Sequence, residues 1–403
     1  MRPPALPDLR AVHRLLIIRL SSIGDVVHAI PLSAALGEAF PHLEITWLVE
    51  EMSADIVTGN PYLKEVIVVP RGRWKQGRLR SPRVWREYLA FLADLRRRRF
   101  EVSLDIQGHS KSGLMALATG APYRLGWWRL RDGAQFASRP LPRRPESVHR
   151  VDWFLDVARA LGAEPTAVRF PLAIPEASRA QAAELLRSVG IAPSAPYAVL
   201  NPATGDHNRR WGARPYAELA VALAERHGLP SVLIGSGKDR TLCAEIIALA
   251  RERQGARVTS PNAPHSDAQA GALIPVSLAG QTDLKQLAAV LEGCTIQVCG
   301  DTGSAHIAAA LGRPVVATFG PTDPAHAGPW GQLDRVLARR DLCFPDCPGR
   351  CRSIERRSGG TQAIGAQGEP IPRLSSAEAI TPCLRTITPG EVLARVEQVL
   401  YES

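Results

Sequence analysis

The stretch Ser21-Ser22-Ile23-Gly24-Asp25-Val26-Val27-His28 follows the apolar run Leu15 to Ile18. A carboxylate there can take a proton from a hydroxyl group, or it can simply cap a helix with the help of the helix dipole. Asp25 is therefore a candidate base, with a plain cap as the alternative. His28, one turn on, suits a packed histidine as well as a catalyst. The small residues of the loop would admit a phosphate, although the G-x-G-x-x-G pattern of dinucleotide sites is missing.

Two further segments bear groups suited to an anion. In Gly300-Asp301-Thr302-Gly303-Ser304-Ala305-His306, glycines, hydroxyls and a following helix offer donors to a diphosphate, and a ligand-free capped helix is the plain alternative. In Asn201-Pro202-Ala203-Thr204-Gly205-Asp206-His207-Asn208-Arg209-Arg210-Trp211, paired arginines beside a turn could grip a pyrophosphate or stay solvated. Gly235-Ser236-Gly237-Lys238-Asp239 lacks the first glycine and the final hydroxyl of a P-loop, which excludes an ATPase of that type.

The elements that must hold these groups are α/β. Strand-like runs at 15–18, 45–49, 66–69 and 102–106 alternate with helical patterns, including one from Asp25 to about Ala39. A Pro- and Ala-rich connection at 171–196, with a polar helix near 177–189, marks the joint between domains 1–180 and 181–403. Runs at 197–200, 231–235, 296–299 and 315–319 then repeat the pattern, with a helix expected over 307–311. Thr388-Pro389-Gly390-Glu391 has the form of a capping box opening a terminal helix. Two doubly wound Rossmann-like domains facing a cleft, with ligands at the carboxyl ends of the strands, are the expected architecture.

At 403 residues the chain is long enough for two such cores. Its net charge of +10 favours an anionic partner without naming one. The charge gathers in Arg71-Gly72-Arg73-Trp74-Lys75-Gln76-Gly77-Arg78-Leu79-Arg80, followed by Arg83, Trp85 and Arg86. This segment is either a solvated basic face or a surface that lies on anionic headgroups and holds an acceptor. No nucleic-acid motif accompanies it. No apolar run reaches the roughly 18 residues that a span needs, and 1–13 lacks the core of a signal peptide, so a cytoplasmic protein is expected. Seven cysteines do not make a disulfide scaffold in a chain of this length. Cys343, Cys347, Cys351 and Cys383 depart from standard zinc spacing, and free thiols compete with a structural zinc site there.

Taken together, residues 15–51, 103–127, 200–211 and 278–321 resemble the lipopolysaccharide heptosyltransferases. Trp47-Leu48-Val49-Glu50-Glu51 and Asp105-Ile106-Gln107-Gly108-His109-Ser110-Lys111-Ser112 are more similar to type I than to type II. The resemblance implies an inverting GT-B glycosyltransferase that needs no metal or other cofactor. It implies ADP-L-glycero-D-manno-heptose as donor, Kdo-lipid A as acceptor, and work at the inner-membrane surface. It places the base at Asp25 and the donor against Thr204, Arg209, Asp301, Thr302, Gly303 and His306. Arg209 stands where the family usually has lysine, which keeps the charge and changes the geometry. Arg73, Lys75 and Lys111 complete the expected set as acceptor-binding cations. The rivals are a type II enzyme, a transferase of another nucleotide sugar, and a binding protein without turnover. The last has no need of a base opposite a phosphate site.

Overall fold

The computed structural model describes residues 6–76, 81–206, 209–258, 274–339 and 381–402. It divides into two compact units, Met1–Ala173 and Ile174–Ser403. In the first, the strands β1 (Arg14–Ile18), β2 (Glu44–Glu50), β3 (Glu65–Val69), β4 (Val102–Asp105), β5 (Tyr123–Gly126) and β6 (Arg139–Pro140) form one sheet. Their order is β3-β2-β1-β4-β5-β6, and every neighbouring pair is parallel. Parallel strands covered by helices on both faces must be apolar along their whole length, and Leu15 to Ile18 are all fully buried.

The second unit repeats this winding. Its strands are β7 (Ala198–Asn201), β8 (Ser231–Leu233), β9 (Val276–Ser277), β10 (Ile296–Gly300), β11 (Val315–Phe319) and β12 (Val336–Ala338). They run in the order β12-β11-β10-β7-β8-β9, again all parallel. In each unit the chain reverses direction across the sheet beside the first strand, and the loops after that strand and the fourth lie side by side. Those loops are 19–22 and 106–109 in the first unit, and 202–212 and 301–302 in the second.

The helix Glu176–Ser188, expected within the joint, belongs to the second unit, where Arg179 pairs with Glu292 at 2.7 Å. The expected capping box at the terminal helix Pro389–Glu402 is present. Thr388 Oγ1 accepts the Glu391 N–H at 3.2 Å, and the Glu391 carboxylate accepts the Thr388 N–H at 2.9 Å. The helix expected over 307–311 begins earlier, at Gly303, and runs to Ala310. Gly303 and His306 thus lie in its first turn rather than in a loop.

Among the described residues no helix is long and apolar enough to cross a membrane. Cys343, Cys347 and Cys351, together with Arg78, Arg80, His207 and Asn208, lie outside the described residues, as does the side chain of Lys75. Cys383 is buried beside Thr381.

Trp211 anchors the core of the second unit. Its ring meets Tyr216 edge-on at 5.1 Å, and its indole N–H donates to the Ile387 carbonyl at 2.8 Å. Tyr216 in turn donates its hydroxyl proton to the Asn201 carbonyl at 3.0 Å, which ties β7 to the ring beneath the 202–212 loop. Val392, Val396 and Val399 of the terminal helix belong to the same core. Trp211→Ala should cost about 3–5 kcal/mol through cavity formation. Trp211→Phe keeps most of the volume but leaves a buried carbonyl unsatisfied, and should cost about 1–3 kcal/mol. Urea unfolding of both variants, compared at unchanged slope, measures the difference.

Candidate active site

In the first unit, Asp25 occupies the first turn of the helix Ile23–Ala39, directly beyond β1. Its Oδ2 lies 2.8 Å from Arg19 Nη2 and accepts from Ser22 Oγ at 3.2 Å, while Oδ1 pairs with Arg150. The side chains differ sharply in access: Arg19 is 5% exposed, Asp25 20% and Arg150 34%. Arg19 is fixed in place. It donates to the Ile106 carbonyl at 2.8 Å and lies 5.9 and 5.5 Å from the ring centres of Trp127 and Phe154. Arg150 opens the helix Arg150–Ala160, where the dipole disfavours a cation, so its partner carboxylate offsets that cost.

Burial by itself would raise the Asp25 carboxyl. The two guanidinium groups and the Ser22 hydrogen bonds outweigh it, and the pKa is lowered to about 2.

The loop after β4 buttresses this arrangement. Asp105 is fully buried and accepts from the Gln107 and Gly108 N–H groups at 3.1 and 2.9 Å and from Ser112 Oγ at 3.0 Å. Burial pushes its carboxyl above the usual range despite these bonds. Gln107 Oε1 accepts the N–H groups of Leu20 and Ser21 at 3.0 and 3.2 Å, which sets the loop that carries Ser22. Gly108 has φ +75°, and a Cβ there would come within 2.4 Å of Trp127 Nε1, so the turn requires glycine. His28 is buried against His149, with ring centres 5.0 Å apart. His28 and Asp105 are buried, whereas the Asp25 side chain is 20% exposed and open to a substrate.

In the second unit, Arg209 Nη1 lies 2.7 Å from Asp301 Oδ2. Two residues expected at the donor site are thus each other's partner. Thr204 Oγ1 donates to the Asp206 carbonyl at 2.6 Å and holds the turn after β7 closed. A Cβ on Gly300 would come within 3.0 Å of Thr204 Cγ2 and 3.1 Å of the Arg209 carbonyl, so a glycine lets these two loops meet. Thr302 is the N-cap of the helix Gly303–Ala310, and its side chain makes no cap hydrogen bond. The helix therefore presents N–H groups to a ligand, as phosphate sites do. Beneath them Ser304 Oγ accepts from Asn201 Nδ2 at 2.8 Å and Gln297 Nε2 at 2.6 Å, and His306 is buried. The structure thus gathers Thr204, Arg209, Asp301, Thr302, Gly303 and His306 at one end of the second sheet.

The 235–239 turn is closed on itself. Asp239 accepts the Ser236 N–H at 2.9 Å, which agrees with the exclusion of a P-loop.

The family model of glycosyltransferase family 9 (heptosyltransferase) matches residues 88–353. The chain belongs to that family. This glycosyltransferase is 29% identical over 341 residues to lipopolysaccharide heptosyltransferase 1 of Pseudomonas aeruginosa, covering 84% of this chain and 87% of the relative. It is 25% identical to the lipopolysaccharide core heptosyltransferase OpsX of Haemophilus influenzae, covering 80% and 84%. Its fold is that of the Escherichia coli ADP-heptose LPS heptosyltransferase II, with a TM-score of 0.67 at 23% identity over 96% of this chain and 99% of that one.

Of the remaining expected residues of the transferase, Arg73 and Lys111 are surface groups. Arg73 is exposed in the helix Arg71–Gln76, which also carries Lys75, and Lys111 is exposed at the start of the helix Ser110–Thr119. Trp74 turns inward against Tyr88 and Phe91, at 5.1 and 5.4 Å between ring centres, so it is a core residue. Arg19 and Arg150 escaped the sequence reading. Arg19 left one signal, a charge directly after a buried strand, and Arg150 left none.

The depressed Asp25 carboxyl makes a stability prediction. The ionised group stabilises the fold fully above its ordinary value near 3.8, and this contribution is lost as pH falls through about 2. At 1.36 kcal/mol per unit this amounts to about 2 kcal/mol. The stability gap between the wild type and Asp25→Asn should therefore narrow by about 2 kcal/mol between pH 4 and pH 2. Unfolding curves of both proteins across that window test it, and a gap that does not depend on pH contradicts the ion-pair account.

Proposed function

We propose that this transferase moves L-glycero-D-manno-heptose from its ADP conjugate onto the Kdo-lipid A inner core, with inversion at the anomeric carbon. One observation carries the reading. In a family 9 chain, the first unit holds an accessible carboxylate, and the second holds a cation and a helix N-terminus suited to a diphosphate.

The acceptor hydroxyl oxygen attacks the anomeric carbon while Asp25 takes its proton, and the bond from that carbon to the diphosphate breaks with its electron pair on the leaving ADP. Arg209, Thr204 and the Thr302, Gly303 and His306 turn receive the diphosphate, whose growing negative charge they stabilise. Asp301 holds the Arg209 guanidinium in place for this task. No step here calls on a metal.

The same reading assigns Arg73, Lys75 and Lys111 to the phosphorylated acceptor and the protein to the cytoplasmic face of the inner membrane. Its support is the helix Pro82–Arg97. Trp85 and Leu89, one turn apart, are 47% and 59% exposed, with Arg83 and Arg86 exposed beside them. Apolar rings and chains flanked by arginine suit an anionic headgroup layer.

The deciding experiment combines the protein with ADP-heptose and Kdo-lipid A and weighs the lipid product. A mass gain of one heptose supports the reading. Gain only on an acceptor that already carries heptose makes it a type II enzyme, and gain on neither acceptor refutes it. In the folded fraction, Asp25→Asn should lower kcat on the order of a hundred- to ten-thousand-fold while ADP-heptose affinity is kept. Near wild-type turnover in the folded variant would remove Asp25 from the role.

The surface assignment has its own test. Replacing Arg83 and Arg86 with Gln and Trp85 and Leu89 with Ser should cut sedimentation with vesicles rich in anionic phospholipid by about tenfold or more and leave ADP affinity unchanged. Unaltered vesicle binding would show the helix to be a solvated face.

A further inference from the structure

Asp25 stands in an arrangement that works against its task. A base is most useful when its pKa lies near the working pH, and two arginines draw this carboxylate far below that. One of the two is structural. Arg19 is buried, donates to the Ile106 carbonyl and is enclosed by Trp127 and Phe154, so removing it from Asp25 would strand a charge in the interior.

Arg150 is different in each respect. It is the more exposed partner, at 34%, and it sits at a helix N-terminus that disfavours its charge. It also has cationic neighbours. The Arg129 guanidinium is held below its usual value first by partial burial and then by the nearby charges of Arg131 and Arg150, and Arg129 and Arg131 are both exposed. Further along, Trp128 is partly exposed under Arg143, whose guanidinium lies 4.8 Å from the ring centre. Against these cations and the aromatic face stand Asp25 and, reached from Arg131 through His109, Asp132, so the cluster is unbalanced towards positive charge. It calls for a further anion.

We infer that Arg150 is an acceptor-binding residue, which takes an oxyanion of the acceptor, a sugar-acid carboxylate or a lipid phosphate, and in doing so releases Asp25. The exchange keeps the arginine paired throughout, so no guanidinium loses its counter-ion while Asp25 loses one of its two. Asp25 becomes a stronger base when the hydroxyl that it must deprotonate arrives, and stays firmly ionised when no acceptor is bound. Arg19 remains behind to hold the carboxylate's position. The inference rests on the proposed role of Asp25 as base and adds the acceptor's charge as the group that frees it.

The test is steady-state kinetics with ADP-heptose and Kdo-lipid A for the wild type, Arg150→Gln and Arg150→Lys, together with acceptors whose carboxylates are reduced or whose phosphates are removed. Arg150→Gln should raise the acceptor KM by about 10- to 100-fold while kcat stays within about threefold, since in the bound complex Arg150 no longer touches the base. ADP-heptose affinity by calorimetry should not change. Arg150→Lys, which keeps the charge without the fork, should fall between the two and serves as the deciding variant if the Gln form is unstable. One altered acceptor should raise the wild-type KM but leave that of Arg150→Gln where it was, and that acceptor identifies the oxyanion.

A fall in kcat with an unchanged acceptor KM would overturn the inference, because Arg150 would then only support Asp25. Penalties from both altered acceptors that are as large in Arg150→Gln as in the wild type would overturn it as well. An inactive wild type is a separate result. It refutes the functional reading and, with it, the ligand assigned to Arg150.

Discussion

A buried guanidinium cannot be left without a counter-charge, and in the first unit that demand falls on Asp25. Arg19 leaves β1 directly into the interior, where the Ile106 carbonyl and two aromatic rings satisfy part of it, and Asp25 supplies the negative charge. Desolvation of an ion costs several kcal/mol, so Arg19 and Asp25 depend on each other. The first turn of the helix Ile23–Ala39 must therefore sit where the carboxylate can reach, and Gln107 secures that place by accepting two N–H groups of the preceding loop. The loops after β1 and β4 thus meet around one charge pair. The residue expected to do chemistry is also the residue on which local order depends, which separates it from an ordinary helix cap.

The second unit repeats the winding and uses it for another purpose. Its first and fourth strands also end side by side, but there the more exposed member of the charge pair is the cation, Arg209, and the carboxylate, Asp301, is buried, above a buried layer of Asn201, Gln297 and Ser304. In that layer Asn201 and Gln297 both donate to Ser304 Oγ, which makes the turn above it rigid. A rigid turn with helix N–H groups facing outward suits a diphosphate, whose shape and charge are fixed. Beside the pair of loops around Asp25, the half-buried Arg150 stands on one side only, which suits a partner that arrives with a charge of its own.

Much of this was legible in the chain itself. Runs such as Leu15 to Ile18 and Val315 to Phe319 are apolar on both faces, and only a strand covered on both sides needs that. Alternation with helical periods gave the doubly wound class, and the spacing of Thr388 and Glu391 gave the start of the terminal helix. The four short strands β5, β6, β9 and β12 were not legible. They are two to four residues long, and their place comes from pairing with a neighbour that already exists. The helix at Gly303 begins ahead of its apolar period because its first turn faces the site, where glycine and serine are needed instead of core residues.

By itself the sequence determined the two α/β units, the strand ends at which small residues and charges collect, and the family's signature around Asp25 and Asp301. Only the tertiary structure decided which charges meet. Arg150 lies 125 positions from Asp25, and nothing in its surroundings along the chain marks it as a partner. The sequence placed Trp74 with the basic stretch around it, and the fold turned it into the core while Trp85 stayed exposed. Periodicity is a local property that each segment carries with it. Burial, ion pairing and the resulting basicity of a carboxylate depend on distances across the fold, and those exist only once the sheet has brought the loops together.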